Sequence, residues 1–538
     1  MDDVAQWWQH GVIYQVYPRS FQDTDGDGIG DLDGVTARLD HLVTLGVDAL
    51  WLSPFYRSPM RDFGYDIADH TDVDPRFGDL DAFDRMLAAA HERGLRVLID
   101  FVPNHTSDQH PWFLESRSSR SSARRDWYVW RDPRPDGSPP NNWISVWGGP
   151  AWQWDEGTGQ YYLHLFLPEM PDLNWRNPQV RRAMFDVVRF WMDRGVDGLR
   201  IDVAHVIMKH PELLDNPRND ARVRSYKTFG NWDDFVHIND LGHPDVHDVY
   251  RELRTILDGY STDERPRVAV GEIHIFERDQ WVTYYGRDLD ELHLPFNFGL
   301  LTVDWTAGTV RRSVDELEAA VPDGAWPNYV VGNHDEPRIA TRVGPRRARL
   351  VMLLLLTLRG TPTLYYGDEL GMSDVEVPDD QVADPQGLRL SPELSRDPAR
   401  APLRWDGSPH GGFTAPHARP WLPIDVTVDD VATQLDDPGS MLTLTRRLLA
   451  LRRCTPALSH GAYAACEAPS GCFVFVRSHG DDRVVVALNF SDAAVEVVLD
   501  GPAEVLLSTT PARDGIVTSL LLEPFEGCVV RPRRTPIR

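Results

Sequence analysis

Short apolar runs alternate with amphipathic stretches along most of the chain. Eight runs, at 12–17, 49–53, 97–101, 198–202, 268–273, 292–298, 329–332 and 362–366, are rich in Val, Ile, Leu, Tyr and Phe and read as buried strands. Residues 80–93, between the second and third runs, carry apolar side chains at helical spacing. Residues 245–257, between the fourth and fifth, do the same. Eight strands alternating with helices predict an α/β fold, a (β/α)8 TIM barrel with its active site at the C-terminal ends of the strands.

Two regions break the alternation. Residues 106–175 follow the third strand and are rich in Trp, Pro, Gly and Asn. A structureless loop of that length is unusual, so an inserted subdomain on the active-site rim is expected. From 456 onward helical spacing disappears and short alternating runs take over, at 472–476, 483–489, 494–499 and 528–531, predicting an all-β C-terminal domain of antiparallel sandwich type. The division is a barrel from 1–105 and 176–455, an inserted subdomain B at 106–175 and a β domain at 456–538. At 538 residues the chain is too long for one core, in keeping with that division.

Four of the apolar runs finish in acid: Val-Leu-Ile-Asp100, Leu-Arg200-Ile-Asp202, Val-Gly-Glu272 and Val-Gly-Asn-His334-Asp335. A carboxylate ending a buried strand is costly unless it is paired or works in a cleft. One such acid is an ordinary helix cap; four on one rim, beside Arg200 and His334, point to a site. Arg200 and Asp202 are two residues apart and share a strand face, so the guanidinium should keep Asp202 ionised, as a nucleophile requires. Glu272 has no cation beside it in sequence, and nearby carboxylates should raise its pKa, as a general acid requires. Two carboxyls in these roles, about 5 to 5.5 Å apart, would hydrolyse a glycosidic bond with retention.

The net charge of −27 excludes nucleic acid and anionic membranes as partners and is compatible with a neutral sugar; solubility alone also explains it. No apolar run is long enough to span a bilayer, and residues 1–10 lack a secretory pattern, so a cytoplasmic location is expected. Cys454, Cys466, Cys472 and Cys528 match no zinc spacing and read as small core residues.

Asp-Phe-Val-Pro-Asn-His at 100–105, Gly-Leu-Arg-Ile-Asp at 198–202, Val-Gly-Glu-Ile at 270–273 and Gly-Asn-His-Asp at 332–335 resemble, in order, the four blocks of the α-amylase family of glycoside hydrolases. Val-Ile-Tyr-Gln-Val-Tyr-Pro-Arg-Ser-Phe near the start and Tyr-Gly-Asp-Glu-Leu-Gly at 366–371 extend the likeness, which is greatest to the branch of bacterial α-glucosidases and oligo-1,6-glucosidases. The resemblance implies Asp202 as nucleophile, Glu272 as acid/base and Asp335 as the third carboxylate. It places Asp62, Tyr65, His105, Arg200, His334 and Arg400 around the non-reducing glucose, with Arg400 closing the pocket. It implies an α-glucosidase acting from the chain end of a disaccharide or short oligosaccharide, as a monomer or small homo-oligomer. A transglucosidase or a trehalose- or sucrose-type isomerase on the same barrel is the alternative. A non-catalytic, transporter-associated or sugar-binding relative is disfavoured by the three intact carboxylates.

Asp23-Thr-Asp25-Gly-Asp27-Gly-Ile29-Gly-Asp31 sets acids at alternate positions with glycines between, as oxygen-ligated hard cations prefer. A plain Asp-Gly turn is the alternative reading of the spacing. The resemblance implies a structural Ca²⁺ held by Asp23, Asp25, Asp27, Asp31 and the Ile29 carbonyl, and no organic cofactor. Linkage preference stays open among α-1,4, α-1,6 and α-1,1 bonds and sucrose. Val203 after the nucleophile resembles enzymes that cut α-1,6 bonds, whereas Met170 replaces the Gln usual in oligo-1,6-glucosidases, and residues 204–245 carry no readable pattern.

Overall fold

The computed structural model describes residues 6–220, 228–510 and 513–533. Eight parallel strands form one sheet: β1 (Ile13–Val16), β2 (Ala49–Leu52), β3 (Arg96–Phe101), β4 (Gly198–Ile201), β5 (Val268–Gly271), β6 (Leu294–Pro295), β7 (Asn328–Val330) and β8 (Thr361–Tyr365). Their order is β6-β5-β4-β3-β2-β1-β8-β7, an all-but-closed barrel. Apart from Arg96 every strand residue is buried, because helices cover the outside while side chains fill the inside. That is why the runs are continuously apolar rather than alternating.

Helices α1 (Leu39–Leu45), α2 (Leu80–Glu92), α3 (Pro178–Asp193), α4 (Val246–Tyr260), α5 (Arg278–Trp281), α6 (Ala307–Ala320), α7 (Pro345–Thr357) and α8 (Met441–Cys454) follow the strands in turn. Helix α2 starts where the Asp79 carboxylate accepts the Ala82 N–H at 2.8 Å, and it buries Phe83, Met86, Leu87 and Ala90 along one stripe. The helix expected over 245–257 runs on to Tyr260. The run at 292–298 contracts to a two-residue edge strand, since Pro295 has no N–H to extend a ladder.

Register sets the chemistry. Asp100 lies opposite Arg200, and Arg200 opposite Val270. Ile201 lies opposite Gly271, so Asp202 and Glu272 are the first residues past two neighbouring strands and emerge side by side at the C-terminal rim.

Within 106–175, Trp130–Arg131, Trp152–Asp155 and Gln160–Leu163 form a three-stranded antiparallel sheet. The C-terminal region forms a six-stranded antiparallel sheet. It includes two edge strands the spacing did not show, Ala462–Ala465 and Ile516–Leu522, whose exposed positions dilute the apolar signal. The reading of all four cysteines as core residues is corrected: Cys472 and Cys528 are buried, but Cys466 is half-buried and Cys454 exposed. Among the described residues no helix is long and apolar enough to cross a membrane.

Candidate active site

None of the four strand-end acids caps a described helix. Asp100, Asp202 and Glu272 instead converge on the Arg200 guanidinium, which is 1% exposed. Its Nη1 donates to Asp100 Oδ1 at 2.7 Å and to Asp202 Oδ1 at 2.9 Å, and its Nη2 lies 2.7 Å from Glu272 Oε2. The cation also sits over the Trp51 ring, whose indole N–H donates to Asp100 Oδ2 at 3.0 Å. Burying this cluster is affordable only because every carboxylate has a charged partner.

Arg200, which the sequence puts beside Asp202 alone, also reaches Glu272 in the structure. The guanidinium serves both carboxyls, while Glu272 gains two further partners, the Val203 N–H donating to Oε2 at 2.9 Å and His274 Nε2 lying 2.8 Å from Oε1. Burial raises the Glu272 carboxyl, but Arg200 and His274 outweigh it and hold Glu272 well below the usual range. Burial, and then the charge of Glu272, push Asp202 well above it. Sequence could not show this, because His274 and the amide that meet Glu272 act through the fold. Val203 itself has φ +36°, a strained value for a β-branched residue, and that bend aims its N–H at Glu272.

A second charged cluster forms part of the pocket wall. Arg396 donates to Asp62 Oδ1 at 2.6 Å, Asp335 Oδ1 at 3.0 Å and Asp384 Oδ1 at 2.6 Å. Arg400, at the end of the turn Asp397–Arg400, donates to the His334 carbonyl at 2.8 Å and to Asp335 Oδ1 at 3.2 Å. Arg396 is the residue sequence reasoning missed, one turn before Arg400 in the same arginine-rich stretch; the abundance of arginine hid it. The Tyr65 ring stacks on His334 with centroids 5.4 Å apart, and its hydroxyl lies 2.6 Å from His334 Nε2. Burial pushes His334 down to about 3, as it does His105, so both imidazoles are neutral. His105 Nε2 and Arg400 Nη1 are buried without a partner among the described residues, leaving two nitrogens for a bound hydroxyl. All nine catalytic and sugar-site residues inferred from sequence thus fall in one constellation.

These groups face a cavity of about 670 Å³ lined by Asp62, Tyr65, His105, Asp202, Glu272, Asp335 and Arg396. Its remaining wall is largely apolar: Trp147, Phe166, Met170, Val203, Val206, Phe229, Trp232, Leu241 and Phe276. Val203 and Met170, whose sequence signals conflict, share that wall. Much of it comes from the 204–245 loop, of which 221–227 lie outside the described residues. Lys209 pins this loop: its buried Nζ reaches Asp172 Oδ2 and Asn104 Oδ1, each at 2.6 Å. One cation therefore ties the loop after β4 to the inserted subdomain and to the loop after β3.

In the acidic loop, Asp23, Asp25 and Asp27 bring carboxylate oxygens within 4.8 Å of one another. Burial and then the neighbouring carboxylates raise Asp27, a repulsion that a divalent cation would relieve. Asp31 does not join this group. Its side chain caps the following short helix, accepting the Gly34 N–H at 2.6 Å and the Thr24 N–H at 2.7 Å. The three clustered acids offer the oxygen ligands that a hard cation takes.

A barrel carrying paired carboxylates at its C-terminal rim around a cavity lined by further acids and arginine fits a glycoside-cleaving class. Residues 15–461 match the family model described as Alpha amylase, catalytic domain, and 459–528 match a domain of unknown function, DUF3459. A probable alpha-glucosidase of Rhizobium meliloti (strain 1021) is 44% identical over 506 residues, covering 91% of this chain and 90% of that one. The solved alpha-glucosyl transfer enzyme XgtA superposes with a TM-score of 0.92 at 41% identity, covering 98% of this chain and all of that one. The trehalulose synthase MutB from Pseudomonas mesoacidophila MX-45 superposes at 0.88 with 34% identity, covering 98% and 99%. The chain belongs to the α-amylase family and is a glycoside hydrolase.

Proposed function

We propose that this enzyme is a retaining, exo-acting α-glucosidase that releases α-glucose from the non-reducing end of short α-glucosides. The observation that carries this reading is the interlocked array of buried charges at one part of the cavity wall, where Asp62, Asp335 and Arg396, backed by Arg400, suit the hydroxyls of a terminal sugar. Asp202 attacks the anomeric carbon and Glu272 protonates the departing oxygen. The covalent β-glucosyl ester is then hydrolysed by water that Glu272 deprotonates. The developing positive charge on the sugar favours ionised Asp202 in the first step, and activation of water needs ionised Glu272 in the second. Arg200 serves both states because it touches both groups.

Maltose, isomaltose, trehalose, sucrose and maltotriose, followed by NMR, test the reading. α-Glucose as the first anomer supports it; β-glucose overturns it. One observation favours a second reading, glucosyl transfer or isomerisation: the apolar wall beyond the cleavage point disfavours water as acceptor. A dominant disaccharide or trisaccharide product would establish that reading.

Asp23, Asp25, Asp27 and the Ile29 carbonyl would hold a structural Ca²⁺ that stiffens the first βα loop, with no part in the reaction. Chelation is expected to lower Tm by about 2 to 5 °C with kcat at 25 °C unchanged. The four cysteines are unpaired, as in a reducing compartment, and the cytoplasm is the proposed location.

A further inference from the structure

Glu272 presents two unequal oxygens. Oε2 is occupied by Arg200 Nη2 at 2.7 Å and by the Val203 N–H at 2.9 Å. Both are pure donors with no lone pair to offer, so Oε2 cannot carry a proton while those contacts stand. Any acid proton on Glu272 must therefore sit on Oε1. That oxygen lies 2.8 Å from His274 Nε2, a nitrogen that can donate to a carboxylate or accept from a carboxylic acid. His274 leaves the barrel two residues beyond Glu272, lines the same cavity, and stacks on Phe298 with centroids 4.4 Å apart and planes within 23°.

We propose that His274 is a positioning residue that holds the acid proton on the reactive oxygen of Glu272, by sharing it between Oε1 and Nε2. The proposal rests on Glu272 as the acid/base of the reaction above. In the first step the C1–oxygen bond to the leaving group breaks, a bond from C1 to Asp202 forms, and the proton passes from Oε1 to the departing oxygen. In the second, water adds to C1, the bond to Asp202 breaks, and the proton of water returns to Oε1. No proton is gained or lost over the cycle. His274 fixes the orientation of Glu272 so that Oε1, and not the Arg200-bound Oε2, is the oxygen that carries the proton.

The groups facing this pair are Arg200 and Asp202 from β4 and its end, Asp335 after β7, and His205, whose ring is 6.0 Å from His274. Glu277 and Glu336 line the same cavity, as do Asp62 and Arg396 at its charged end. Burial pushes His205 down to about 3, so it stays neutral and does not compete for the proton.

The test compares H274Q and H274F with wild type on maltose, whose leaving group needs protonation, and on 2,4-dinitrophenyl α-glucoside, whose leaving group does not. The ratio of the two kcat/KM values, taken on one protein sample, is independent of the fraction folded. On maltose a loss of about ten-fold or more is expected, against less than about three-fold on the aryl glucoside, together with a displaced basic limb of the pH profile. An unchanged limb, or equal losses on both substrates, overturns the proposal. E272Q separates the two readings. If E272Q abolishes maltose turnover while H274Q behaves as wild type, His274 has no such role and Glu272 keeps its own. If E272Q turns over maltose normally, the assignment of Glu272 fails first.

Discussion

At the charged end of the pocket Asp62, Arg396 and Arg400 are buried and locked into ion pairs, whereas toward the mouth Phe229, Trp232 and Leu241 are half-buried and Phe276 is exposed. The first region is a fixed array of charges, each satisfied by geometry that admits little change. The second is an apolar wall, on a loop held by Lys209, that makes few directional demands. Polar arrays reject an imperfect sugar strongly, because an unmatched hydroxyl leaves a buried group unpaired, while apolar walls discriminate weakly. The enzyme should therefore be strict about its glucosyl unit and permissive about what the glucose is attached to.

The comparison can be broken at its centre first. Asp202→Asn should lower kcat by at least about 10⁴-fold on every substrate of the panel, since nucleophile loss is indifferent to the acceptor. Turnover near wild type on any of them would remove the covalent mechanism. Arg396→Met comes next. It strands Asp62, Asp335 and Asp384, and about 3 to 5 kcal/mol of stability should be lost in chemical denaturation; a loss below 1 kcal/mol would mean that the charged end is not an interlocked array.

The pH response sharpens the contrast. Burial raises Asp62 to about 7 against the opposing pull of Arg396 and Arg400. Above that value Asp62 is ionised, holds Arg396 and accepts sugar hydroxyls; below it the acid is neutral and both contacts weaken. KM for maltose should rise as pH falls through about 7, and in Asp62→Asn it should stay high with that titration gone. The smallest effect belongs to the mouth. Phe276→Ala and Val203→Thr should shift the ratio of maltose to isomaltose kcat/KM by no more than about ten-fold, corresponding to about 1.4 kcal/mol. A hundred-fold switch would give the apolar wall the selectivity assigned here to the charged end.

The barrel was legible because a strand buried on both faces must be apolar throughout, and strands such as 97–101 and 198–202 announce themselves. Asp100, Asp202, Glu272 and Asp335 were legible for the same reason, as acids ending apolar runs. What stayed hidden depends on contacts between distant segments. Arg396 lies in a stretch with no periodicity, and its pairing with Asp62 spans most of the chain. The ionisation of Glu272 depends on His274 and on a backbone amide turned by the bend at Val203. Asp31 keeps the spacing of a ligand, and its carboxylate also caps a helix, a second role that local sequence leaves open.

Lysine occurs twice in this chain, at 209 and 227. Lys209 spends its ammonium on Asp172 and Asn104 inside the protein, and Lys227 lies outside the described residues. Amine-directed labels, cross-linkers and immobilisation resins will thus find an arginine-coated surface almost blank to them. A reagent that does reach Lys209 will report that the loop after β4 has come away from the inserted subdomain.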